Sequence, residues 1–167
     1  MPRSALDPLD VALVRLLSEH PRIGVLELSR LAGVARATVV ARLDRMQSAG
    51  IVTGFGPQID LSAAGYPVQA LVTLEIAQGR LADIAGFLDG IPGVLGASAT
   101  TGSGDVVCHV AAESNEQLQS VLLDLNRSDA IRRSTSVVLL SVVVAPRILP
   151  LLEQRSGAPR RIPEASR

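Results

Sequence analysis

Apolar residues recur at two different spacings along this chain, and the change of spacing divides it in two. In the first part the spacing is helical. Leu9, Ala12, Leu13, Leu16 and Leu17 form one stripe, and Asp7-Pro8-Leu9-Asp10 ahead of it reads as a helix start. Asp7 suits the cap, Pro8 fits the first turn, and Asp10 can bond back to the cap. A second helix over residues 25–32 is predicted to bury Leu28, Leu31 and Ala32, with Gly33 supplying its sharp stop. A third, from Arg36 to Ala49, is predicted to bury Val39, Val40, Leu43 and Met46, and Gly50 ends it. Ile51 to Pro57 then reads as short extended segments around glycines, a small hairpin or wing.

The second part begins with alternation. Val68, Ala70, Val72, Leu74 and Ile76 interleave with Gln69, Leu71, Thr73 and Glu75, which is the period of a strand. Leu81, Ile84, Phe87 or Leu88, and Ile91 return to helical spacing. Val94–Thr101 and Val106–Ala112 are predicted strands around a Gly102-Ser103-Gly104 turn. Leu118, Val121, Leu122 and Leu125 mark a further helix, and Ile131 to Val144 a long final strand. The order β-α-β-β-α-β favours a four-stranded antiparallel sheet with both helices on one face. The fold class is therefore α+β: an N-terminal winged helix-turn-helix and a C-terminal ferredoxin-like sandwich. The expected domains are residues 1–57, a linker over 58–66, residues 67–150, and a flexible tail over 151–167.

A helix-turn-helix places its second helix in the major groove of double-stranded DNA. The side of that helix predicted to face solvent carries Arg36, Ala37, Thr38, Arg42 and Arg45, and these are the candidate DNA contacts. Planar guanidinium groups bind phosphates and guanine edges bidentately. The same arginines also suit a merely solvated helix face, so the surrounding three-helix pattern carries most of the inference.

Composition narrows the partners. Charge over the 167 residues is zero, yet residues 1–57 hold seven Arg against five acidic residues. An excess of two charges is modest, so affinity for DNA would lean on several copies acting at once. Aromatic residues are 2% of the chain, which argues against stacking on unpaired bases. Cys108 is alone, so neither an intrachain disulfide nor a cysteine-built metal site is expected. His20 and His109 have no second ligand at metal spacing; His109 is expected in a packed, hydrogen-bonded position. No apolar run is long enough to span a membrane and no leader pattern is visible, so a soluble cytoplasmic protein is expected. Val137 to Val144 is almost uninterruptedly apolar on what would be an edge strand. Such a strand needs cover on both faces, and self-association, sheet against sheet, supplies it better than an N-terminal helix would.

With both parts read, the chain resembles the Lrp/AsnC family. The residues that carry the resemblance are Leu6-Asp7 with Asp10, Glu27-Leu28-Ser29 with Gly33-Val34, and Val39 with Arg42-Leu43 and Met46. To these are added Gly50-Ile51-Val52 with Gly54-Phe55, and Thr101-Gly102 with Asp105. The likeness runs over about residues 5–150. It implies transcription control tuned by amino acids or related small metabolites, and homodimers that assemble further, commonly to octamers. The chain departs from the family pattern at Ala35, where a capping Ser or Thr is usual. It departs again at Gly104 and Val106, where aromatic residues tend to flank the Asp.

An amino acid presents an ammonium and a carboxylate, so its site needs an anion and bare backbone amides. Asp105 suits the ammonium, and Gly102, Ser103 and Gly104 let backbone approach the carboxylate. Thr101, with Ser134 or Ser136 from across a subunit interface, would add hydroxyls. Gly-Ser-Gly-Asp is also ordinary turn chemistry. No cofactor is expected, and no catalysis. Two rival readings remain on the same two-domain plan: an enzyme like the siroheme decarboxylases, and an amino-acid sensor without DNA binding.

Overall fold

The computed structural model describes residues 6–156. It divides into two compact units, one of the described residues up to Gln58 together with those from Ala145 onward, the other Ile59–Val144.

In the first unit three helices form in the expected places: α1 (Pro8–Glu19), α2 (Val25–Ala32) and α3 (Arg36–Ser48). Asp7 and Asp10 complete a reciprocal capping box, the Asp7 carboxylate taking the Asp10 amide at 3.0 Å and the Asp10 carboxylate the Asp7 amide at 2.9 Å. Gly33 ends α2 in the left-handed conformation at φ 66°, which glycine adopts without a Cβ penalty. Leu13, Leu28, Val39 and Met46 form the buried centre, with Leu9, Leu16, Leu17, Ala32 and Leu43 packed around it.

Two residues expected inside are outside. Leu31 is 51% exposed and Val40 39%. Each lies at the margin of its helix's apolar stripe, and a bundle of such short helices closes over only the centre of each stripe. The wing is also absent as a hairpin: residues 51–60 contain no strand. The amides of Ile51 and Val52 both return to the Met46 carbonyl, and beyond them Gly54, Gly56 and Pro57 leave too few consecutive residues to pair.

The tail expectation fails at its start. Residues 151–156 belong to a helix, α6 (Leu149–Ser156), which packs on α1 through an ion pair of Arg15 with Glu153 at 2.7 Å. The rest of the expected tail, residues 157–167, lies outside the described residues.

The second unit contains β1 (Val68–Ile76), α4 (Leu81–Asp89), β2 (Val94–Ala99), β3 (Val106–Ala112), α5 (Asn115–Leu125) and β4 (Ile131–Leu139). Its four strands lie in the order β2-β3-β1-β4, every neighbouring pair antiparallel. The alternation in β1 sorts as expected: Ala70, Val72 and Leu74 are buried with Val106, Cys108 and Val110 of β3, and with Ile84, Leu88, Leu118, Val121 and Leu125 of the helices. Leu81, at the first turn of α4, is exposed instead. Gly93 is required by close packing, because a Cβ there would stand 2.7 Å from the Val121 side chain.

β4 stops five residues short of the expected end. Its last pair is Leu139 with Gln69, near the start of β1, so Leu140 to Val144 run past the sheet with no strand beside them. Leu140 is 96% and Val143 91% exposed. The sheet face opposite the helices shows Leu71, which stands between His109 and Val137 in register. His109 is partly buried there and donates from Nε2 to Gln69 Oε1 at 3.0 Å.

Candidate nucleic-acid interface and effector loop

α3 begins without a side-chain cap, since Ala35 offers no oxygen and the Thr38 amide turns back to the Ala35 carbonyl at 3.0 Å. Arg36 and Ala37 are exposed at this start and Thr38 is partly covered. The first turn of α3 thus presents amides and one guanidinium, a suitable setting for a phosphate.

Arg42 and Arg45 are placed differently from the expectation. Both turn toward the start of α1. Arg42 pairs with Asp7 and, at 3.2 Å, with Asp10; Arg45 reaches Asp10 at 2.5 Å. Asp10 is fully buried, and its charge is stabilised there by these partners and the Asp7 amide. The hydrogen bond from Arg42 holds the Asp7 carboxyl below the ordinary carboxylate range, helped by the Asp10 amide. Burial pushes Asp10 up, yet Arg45, the Asp7 amide and Arg42 outweigh it and leave Asp10 low as well. Arg42 is correspondingly raised by its bonds to Asp7 and Asp10. Two of the three arginines expected on the DNA-facing side therefore brace α3 against α1. Asp7 and Asp10 were legible as a cap, but nothing in local spacing pointed to partners 35 residues away.

In the second unit Thr101–Asp105 form the connection from β2 to β3. Asp105 is anchored at both ends: its amide donates to the Leu74 carbonyl at 2.9 Å, and its Oδ2 accepts from the Ile76 amide at 2.7 Å. This fixes the carboxylate at the end of β1. Thr100, missed by the sequence reading, donates from Oγ1 to the Gly104 carbonyl at 2.8 Å and closes the loop. Gly104 is buried, and a Cβ there would overlap the Thr73 side chain, so its smallness serves packing within the chain, not room for a ligand. Thr101, Gly102 and Ser103 are exposed, and Gly102 takes φ 144° in open space.

Ser134 and Ser136 do not join this loop within one chain. They sit on β4 opposite Leu74 and Val72, on the far side of β1 from β3, and Ser134 donates to Asn126 Oδ1 at 3.1 Å. Among the described residues no group of three His, Cys, Asp or Glu could hold a metal ion, and no helix is long and apolar enough to cross a membrane.

Comparison with known proteins agrees with this division. The AsnC-type helix-turn-helix domain family matches residues 6–47, and the Lrp/AsnC ligand binding domain family matches residues 69–149. An HTH-type transcriptional regulator of Mycobacterium tuberculosis is 30% identical over 83% of this chain and 95% of its own length. The solved structure of AsnC from E. coli superposes with a TM-score of 0.80 at 25% identity, covering 87% of this chain and 99% of that one. A transcriptional regulator of Neisseria meningitidis, solved as a complex with L-Met, shares the fold with a TM-score of 0.75 at 22% identity over 83% of this chain and 92% of that one. With a DNA-binding helix-turn-helix followed by a ligand-binding sheet domain, matched in order along most of its length, the chain belongs to the Lrp/AsnC family of transcriptional regulators.

Proposed function

We propose that this protein is a sequence-specific regulator, not an enzyme, that acts in the cytoplasm, grips double-stranded DNA through several copies at once, and is tuned by an amino acid. In each copy the start of α3 enters the major groove, with Arg36, Ala37 and Thr38 nearest the DNA. Arg42 and Arg45 serve mainly by holding α3 in place. The observation that carries the reading is the bracing of α3 by a buried carboxylate, which presents its exposed start on a rigid support.

The effector would be an amino acid at the Thr101–Asp105 loop, with Asp105 facing its ammonium and Ser134 or Ser136 contributed by another copy. The L-Met complex of the Neisseria regulator supports that ligand class. Assembly into dimers and then octamers would cover Leu71, Val137 and the run from Leu140 to Val144, all exposed in the single chain. Sealing several hundred Å² of such surface at roughly 25 cal/mol per Å² is a substantial drive to associate.

The test is a thermal-shift screen of the twenty amino acids, followed by sedimentation with and without each hit. At least one amino acid should raise the melting temperature of the wild type and not of the Asp105→Ala variant, and change the distribution of assembled species. A lone subunit at micromolar concentration, indifferent to every amino acid, would refute the scheme.

A further inference from the structure

With Arg42 and Arg45 turned inward, the outward face of α3 carries Ala37, Val40, Ala41 and Asp44, all exposed. At 3.6 residues per turn these four fall within an arc of roughly 100°. Three of them end in methyl groups. Val40 is also a poor choice for an exposed helix position on propensity alone, because its branched Cβ loses rotamer freedom there. Arg36 stands beside this arc, at the helix start. The N-terminal half of a recognition helix is the part that meets base edges, and here the arc itself offers methyl groups, with Arg36 at its margin as the long hydrogen-bond donor.

We propose that α3 reads thymine through its C5-methyl group, with Val40 as the specificity-determining residue and Ala37 and Ala41 beside it. In the major groove each base pair shows donors and acceptors, and thymine alone adds an apolar group. A Val and Ala surface discriminates by burying that methyl, and it leaves the amino and carbonyl edges of other bases unpaired. Asp44 strengthens the argument. It would be repelled by phosphates, so this face must lie over base edges and not along the backbone, with phosphate contact left to Arg36.

The inference rests on α3 entering the major groove, and the experiment separates the two. The full-length protein selects duplexes from a random pool, and binding to the enriched sequence is measured by fluorescence anisotropy. Each dT of that sequence is then replaced in turn by dU, which removes the methyl and changes nothing else. One or two dT positions per half-site should weaken binding about fourfold each, the value for exposing one buried methyl group. Val40→Ser, checked for unchanged helicity, should reduce that discrimination below about twofold. Arg36→Ala should weaken dT and dU duplexes alike. Binding that is retained but indifferent to dU at every position overturns thymine reading alone. Failure of the wild type to select or bind any duplex overturns the groove reading with it.

Discussion

Asp10 accepts a hydrogen bond from Arg45 at 2.5 Å across 35 residues of chain, and it does so from a fully buried position. The pair ties the first turn of α1 to the last turn of α3, so the recognition helix is oriented by charge as well as by packing. Removing Asp10 takes the acceptor from Arg42 and Arg45 together and also leaves the Asp7 amide without its capping partner. Asp10→Ala should therefore destabilise the helix-turn-helix unit by about 2–4 kcal/mol in urea unfolding followed by circular dichroism. An effect under half a kcal/mol would show that apolar packing alone sets α3.

The contact between Arg15 and Glu153 provides the contrast. Arg15 is as exposed as Arg45, but its partner Glu153, on the short terminal helix α6, keeps some contact with water where Asp10 keeps none. Arg15→Met should cost about 1 kcal/mol or less, because both ends of this pair keep some contact with water and Met retains the apolar stem. The same unfolding measurement decides between them, and equal losses for Arg15→Met and Asp10→Ala would contradict the assigned difference in burial.

Acid should loosen the first unit through its two carboxylates. Asp7 and Asp10 both titrate below their ordinary value of 3.8. A group depressed in the folded state contributes stability above its unfolded pKa and loses it as pH falls through the folded one. Stability of the helix-turn-helix should thus be level from about pH 7 to about pH 5 and decline progressively below about pH 4. Helical ellipticity in moderate urea, followed along a pH series, should show this decline, and Asp10→Asn should flatten it.

In the sheet unit, Gly104→Ala should destabilise by about 1–3 kcal/mol, since the new methyl must displace the Thr73 side chain beneath the loop. Ser103→Ala, exposed on the same loop, should change stability by less than about half a kcal/mol. Differential scanning calorimetry of both variants checks the ordering. If Gly104→Ala melts like wild type, the loop is looser than the Thr100 and Asp105 bonds imply.

Val137→Asp places a charge on the exposed sheet face beside Leu71. Because Val137 touches no buried core, the folded chain should persist while any assembly through this face is lost. Sedimentation velocity at matched concentrations reads the outcome, and unchanged species would move the contact surface elsewhere.

Local patterning was enough to establish most of the architecture. Helical and strand spacings placed α1, α2 and α3 and all four strands, because burying one face of an element forces a period on its own residues. Gly33 and the Asp7–Asp10 box were readable for the same reason, as each is satisfied within a few residues. Relations between distant segments were decided only in three dimensions. Arg42 and Arg45 read as solvent-facing until Asp7 and Asp10 came within reach of them. Leu140 to Val144 read as strand until β1 ended and left them no partner. Leu149 to Ser156 carried no clear apolar period, and α6 is seen only where it meets α1. Periodicity reports which face of an element is covered, whereas ion pairing, strand length and docking depend on what the folded chain brings alongside it.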